Sequence, residues 1–285
     1  MMYSSEQLLS DLTWILEAGE VFVCDEPLAG FLDNDWRQRL AALNDDTDCL
    51  VEHMAAAKSH FLGTYFEQLF SFAVTYFTSL EVLAEHEQIH ASGKTLGEVD
   101  LLVRDLAGRV LQLEIALKFY LERQDLYPNV WIGPNKNDSL TKKVSHARQH
   151  QLTILTKPEG KQWLAKFITN TDVKPNLMIY GRHFYSVPAQ DAAFFADDAI
   201  CSAWVRLSEL PRLGPYLLDL HEAQKPNWIT PRNNLNLSKR INAEFMVELS
   251  QRFVDDDRPI LFSCRKYADL SETNTFWLFV CPDDW

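Results

Sequence analysis

Asp100, Glu114 and Lys118 are the residue types that phosphate chemistry uses, and their spacing places them on one surface. Asp100 lies in GEVDLLVRD and Glu114 in LEIALKFYL, two runs that alternate apolar and polar residues on either side of Asp105-Leu106-Ala107-Gly108-Arg109. Period-2 alternation around a glycine-containing turn predicts a hairpin of half-buried β-strands. With the turn centred on Ala107, position 100 faces 114, 98 faces 116 and 102 faces 112. Val99, Leu101, Val103, Leu113, Ile115 and Leu117 then share the apolar face, while Glu98, Asp100, Glu114 and Lys118 share the other. Like charges directly opposite on neighbouring strands are destabilising, and a hard divalent cation removes the repulsion. Mg²⁺ is typically held by one or two carboxylates with water and phosphate oxygens. The alternative is an acidic strand side that simply faces solvent.

The elements that must position these groups follow from periodicity. His53 to Ser79 reads as one long, broadly apolar helix containing Phe61, Phe66, Phe70, Phe72 and Phe77, with Glu67 inside it in LGTYFEQLF. An acid among so many aromatics is rarely buried without a partner, so Glu67 either faces solvent or points at the acidic side of the hairpin. Residues 139–151 predict a helix capped by Asp138 or Ser139, with a basic stretch of Lys142, Lys143, His146 and Arg148. That stretch is either a solvated face or a surface for a phosphate backbone, with Lys142, Lys143 and Arg148 as the nucleic-acid-binding candidates. Elsewhere 4–18 predicts an amphipathic helix capped by Ser4 or Ser5, 34–44 a second helix and 176–181 a short strand. Residues 186–196 read as a loop, 240–253 as a helix, and 258–264 with 275–281 as a closing hairpin. The chain thus divides into a helical N-terminal segment 1–54, an α/β core 55–185 and a C-terminal extension 186–285.

The stretches LGTYFEQLF (62–70), GEVDLLVRD (97–105), LEIALKFYL (113–121), WIGPNKNDSLTKK (131–143) and FVCPDDW (279–285) resemble those of the bacterial family called domain of unknown function 1853. That family is grouped with the PD-(D/E)XK nuclease superfamily, whose order is helix, strand with Asp, then strand with Glu and a later Lys. The resemblance implies an α/β fold with a mixed central sheet flanked by helices, a helical N-terminal segment and an α+β C-terminal extension. It implies Asp100 and Glu114 as ligands of Mg²⁺ or Mn²⁺, and Glu67 as the acid supplied by the first core helix. The superfamily's lysine falls two residues after the Glu, where this chain has Ala116. Lys118, on the same face, is the expected catalytic substitute; Lys142 or Lys143 on the next helix are the others. The implied activity is metal-dependent hydrolysis of phosphodiesters in DNA or RNA. A bound ion lowers the pKa of its water and polarises the phosphate, and the lysine stabilises the developing charge. Fold does not fix function, and a catalytically inactive relative serving as a protein-interaction or nucleic-acid-binding module is the alternative.

Hydrophobic and charged contents of 47% and 24% in 285 residues are those of an ordinary soluble globular protein. The net charge of −13 is unusual for a nucleic-acid binder, because phosphate neutralisation supplies most of such affinity. It calls for a local basic groove or a partner that brings positive surface. Cys24, Cys49, Cys201, Cys264 and Cys281 form no C-x-x-C pair, which points to a reducing compartment rather than a disulfide framework or zinc site. The start MMYSSEQLLSDLTWIL lacks a basic n-region, and no apolar run approaches a membrane span. The expectation is a cytoplasmic protein with no membrane association. No Walker A loop, GxGxxG or G-x-S-x-G occurs, which disfavours the familiar nucleotide hydrolases, Rossmann enzymes and serine hydrolases. His86/His90 and His146/His150 have i, i+4 spacing without HExxH and read as surface or core-edge residues. Trp131, Trp228 and Trp285 read as core, with base stacking as the alternative, and Gly133-Pro134-Asn135 through Ser139 as a phosphate-approach loop.

Overall fold

The computed structural model describes residues 3–17, 19–56, 59, 61–91, 93–169, 172–188, 191–231, 238–267 and 275–285. In chain order the helices and strands begin with α1 (Ser5–Leu16), β1 (Val21–Cys24), α2 (Trp36–Asp45), α3 (Asp48–Ala55) and α4 (Leu62–Phe77). There follow β2 (Glu81–Ala91), β3 (Lys94–Arg104), β4 (Val110–Glu122), β5 (Trp131–Ile132), α5 (Leu140–His146), α6 (Pro158–Leu164) and β6 (Val173–Ser186). The chain closes with α7 (Asp191–Ala196), β7 (Ser202–Arg206), β8 (Leu217–Glu222), α8 (Ala243–Asp255), β9 (Ile260–Lys266) and β10 (Phe276–Cys281). These elements form two compact units, Met1–Lys118 with Lys142–Gly181, and Phe119–Thr141 with Arg182–Trp285. The chain passes from one unit to the other within β4, within α5 and within β6.

In the first unit the strands pair in the order β2-β3-β4-β6, and β1 joins β6 antiparallel with Val23 opposite Ile179. Its principal helix is α4, where Tyr65, Phe66, Leu69, Phe70, Phe72, Val74 and Phe77 are buried. Phe66 and Phe70 meet the Tyr180 ring of β6 at centroid distances of 5.5 and 5.7 Å. Each such side chain contributes about 1.5–3 kcal/mol by leaving water, which fixes α4, and Glu67 with it, on this unit. The single helix expected from His53 to Ser79 is two helices. The Ser59 hydroxyl accepts the Phe61 N–H at 3.2 Å, and Phe61 is extended at ψ 142°. Such local side-chain bonding competes with helix continuation. Ser4 caps α1 as expected, accepting the Gln7 N–H.

In the second unit β7 pairs parallel with β6 and with β10, whereas β10–β9 and β9–β8 are antiparallel. The fold class is therefore mixed α/β. The closing hairpin is β9–β10, with Leu278 opposite Phe262; residues 268–274 of its turn lie outside the described ones. Asn242 caps α8, whose Phe245 meets the Phe262 ring edge-on at 5.7 Å. The stretch expected as a loop at 186–196 contains α7. The strand expected at 176–181 is the middle of the longer β6. Among the described residues no helix is long and apolar enough to cross a membrane.

Candidate functional site

The hairpin turn sets the register of β3 and β4. Asp105 Oδ1 accepts the N–H groups of Ala107 and Arg109 at 3.0 and 2.8 Å, and Gly108 supplies the positive φ of 79° that closes the turn. The pairs Arg104↔Val110, Val103↔Leu111, Leu102↔Gln112 and Leu101↔Leu113 follow. One further step along this register brings position 100 opposite 114, as the alternation requires. There the backbone ladder gives way to a side chain, because Ile115 N–H donates to Asp100 Oδ2 at 2.9 Å.

The hairpin departs from the half-buried form expected of it. Asp100 is 9% exposed and Glu114 1%, and Val99 through Val103 and Val110 through Ala116 are all buried. The polar side is covered by the segment of α5 and the π-helical turn Ala147–Gln151 that follows it. Lys143 Nζ donates to Glu114 Oε1 at 2.8 Å and to Gln151 Oε1 at 3.3 Å. Gln112 Nε2, on the same strand face as Glu114, donates to the Gln151 carbonyl at 3.1 Å and pins the turn. Leu152 N–H reaches back five residues to Ala147 O at 2.9 Å. This widened turn re-aims the residues after it, and such turns occur frequently at functional sites.

Burial pushes the Asp100 carboxyl well above the ordinary carboxylate range; the adjacent Glu114 adds to this and the Ile115 amide opposes it. Glu114 is also pushed up by burial, with Lys143 pulling it down. Asp100, which faces Glu114 across the strands, also lowers it. Glu114 Oε2 is buried and has no hydrogen-bond partner. One proton held on Asp100 answers both problems: it turns repulsion into a hydrogen bond and leaves a single negative charge, which Lys143 compensates. Two close carboxylates sharing a site ordinarily behave this way. Glu67, half-buried on α4, is pushed up first by burial and feels His86, Glu98, Glu114 and Lys143. The three acids expected to act together thus share one electrostatic neighbourhood.

Among the described residues no group of three His, Cys, Asp or Glu side chains is placed to hold one ion. A pair of carboxylates with one orphaned oxygen is nevertheless a donor set that fits Mg²⁺ or Mn²⁺, which complete their shells with water.

The remaining sequence candidates separate clearly. The ammonium bonded to Glu114 is that of Lys143; Lys118 is half-buried on β4 and Lys142 is exposed on α5. Arg148 turns to Asp25, holding it through two hydrogen bonds at 2.6 and 2.5 Å. The rings of His146 and His150 lie 5.2 Å apart, and His86 Nδ1 is 3.6 Å from Glu98 Oε1. Trp228 and Trp285 donate their indole N–H groups to the carbonyls of Ala223 and Pro134, and Trp131 packs on His183; Trp285 is buried, whereas Trp131 and Trp228 are half-buried. The loop after β5 closes on itself through Gly133 N–H to Asp138 O. Gln112 and Gln151 were not legible as site residues. Gln112 shares the strand face of Glu114, a weak signal, whereas the place of Gln151 depends on a π turn that no periodicity announces.

Neither a curated protein nor a solved structure matches the chain. The model of a family described as domain of unknown function (DUF1853) matches residues 2–280, and the chain belongs to that family.

Proposed function

We propose that the first unit is a divalent-metal-dependent phosphodiester hydrolase of the PD-(D/E)XK kind, acting on nucleic acid. The observation that carries this reading is the facing pair of buried carboxylates, one with an orphaned oxygen, beside the bonded Lys143. Asp100 and Glu114 would hold Mg²⁺ or Mn²⁺, which would supply Lewis acidity and a water of lowered pKa. With the ion bound, both carboxylates would be ionised, since a nearby positive charge favours the charged form. Lys143 replaces the lysine missing at Ala116; Gln151 keeps its ammonium at the site, where it stabilises charge on the phosphate oxygens. Glu67, with its raised pKa, is suited to hold or deliver a proton nearer neutral pH than an ordinary carboxylate.

A second reading is favoured by Ala116 and by the burial of Asp100 and Glu114, which restricts access: an inactive nuclease fold that binds protein or nucleic acid. Calorimetric titration with Mn²⁺ of the wild type and of Asp100→Ala, run beside cleavage of labelled single- and double-stranded DNA and RNA, decides between them. The hydrolase reading expects heat and cleavage in the wild type and neither in the variant. A wild type that gives no heat and no cleavage leaves the inactive module.

A further inference from the structure

A cavity of about 900 Å³ opens in the first unit at the turn end of the hairpin, away from the carboxylate pair. Arg104, Arg109, Lys166 and Lys174 line it, with Asp172 as the one acid of its wall. Four cations around one concavity are unexpected in a chain of net charge −13. Their arrangement is built rather than incidental. Arg104 is tied to Glu81 at 2.6 Å, Arg109 to Asp105 at 2.6 Å, and Lys174 to Glu26. None of those three carboxylates lines the cavity. The tethers therefore hold cationic heads at the rim, while the Arg104, Arg109 and Lys174 side chains stay 33, 48 and 51% exposed. Lys166 is exposed and has no carboxylate partner among the described residues.

Two further features point to the ligand. Arg104 and Val110 are a cross-strand pair, and because alternate residues share a face they lie on the face that carries Asp100 and Glu114. Four residues of strand separate Arg104 from Asp100, roughly 13 Å at the usual rise. Phe167, half-buried and packed on the Trp163 ring at 4.8 Å, is part of the cavity wall. A positively lined groove with an aromatic ring is how proteins take single-stranded nucleic acid without sequence preference, and a cleft concentrates such a field.

We propose that this cleft binds the phosphodiester backbone of a single-stranded nucleic acid through Arg104, Arg109, Lys166 and Lys174. The choice of polyanion rests on the hydrolase reading of the hairpin; the cleft and its charge do not.

The test is fluorescence anisotropy of a fluorescein-labelled oligo-dT on the full chain in EDTA, titrated with salt. Lys166→Gln alone should reduce the slope of log affinity against log salt by about 0.7, and Lys166→Gln with Lys174→Gln by about 1.4, one single-strand phosphate contact each. Unchanged slopes in both lysine variants, or no binding by the wild type, overturn the proposal. Tighter binding of a duplex overturns its assignment to single strands. Because EDTA removes any metal chemistry, cleft-dependent binding without cleavage in Mn²⁺ keeps the cleft and rejects the hydrolase. Cleavage that ignores both lysines does the reverse.

Discussion

Replacing Asp100 by Asn isolates the proton that the carboxylate pair is read to share. The substitution keeps the shape: the amide oxygen can accept the Ile115 N–H as Asp100 Oδ2 does at 2.9 Å, and the amide NH₂ can donate to Glu114 as a protonated Asp100 would. What changes is titration. Asp100 is raised in the folded protein by burial and by Glu114, whereas in the unfolded chain it titrates near 3.9. Below that pH it is protonated in both states and its contribution to stability is fully present. As pH rises toward the folded pKa, the native state binds one proton that the unfolded chain has lost, so stability falls by up to about 1.4 kcal/mol per pH unit. Asp100→Asn lacks this loss. The stability of the variant minus that of the wild type should be flat below about pH 4, climb with at most that slope, and level off above the folded pKa. Urea denaturation in EDTA at constant ionic strength, from pH 3.5 to 9 in half-unit steps, reads the curve. Millimolar Mn²⁺ should then narrow the difference at pH 8, stabilising the wild type by about 2.7 kcal/mol at a hundredfold excess over Kd and leaving the variant nearly unmoved. A difference that stays level across the whole range refutes the shared proton. A climbing difference with no response to Mn²⁺ refutes the metal and leaves the proton.

Two other substitutions test how the site is held. Lys143→Met strands Glu114 in a pair whose side chains are 15 and 2% exposed. It should cost about 3–5 kcal/mol at pH 8.5 and distinctly less at pH 5, where Glu114 can take up a proton; equal losses at the two pH values in urea denaturation contradict the pairing. Gly181→Ala sets a Cβ 1.5 Å from the Lys118 carbonyl oxygen at φ +142° and should cost more than about 4 kcal/mol through backbone displacement. A melting temperature within about 2 °C of wild type argues against that close approach between β4 and β6.

What the sequence by itself determined was local. Alternation around Ala107 placed the hairpin, and the turn chemistry of Asp105 and Gly108 fixed a register in which 102 faces 112, so that Asp100 and Glu114 come into line. Ser4 before an amphipathic run placed the cap of α1, and the apolar runs near the C-terminus placed β9 against β10. Each depends on residues a few positions apart, where the backbone's own period carries the information. Tertiary structure decided the rest. The parallel pairing of β7 with β6 and β10 is set by packing partners distant in sequence. Whether the polar face of the hairpin meets water or a helix is invisible in its alternation, and here α5 and the π turn bury it. Which lysine reaches Glu114 depends on that packing: Lys118 shares a strand with Glu114, whereas Lys143 comes from 29 residues further along the chain. Likewise the four cations of the cleft belong to two chain segments, 104–109 and 166–174, and only the folded chain brings their charges around one cavity.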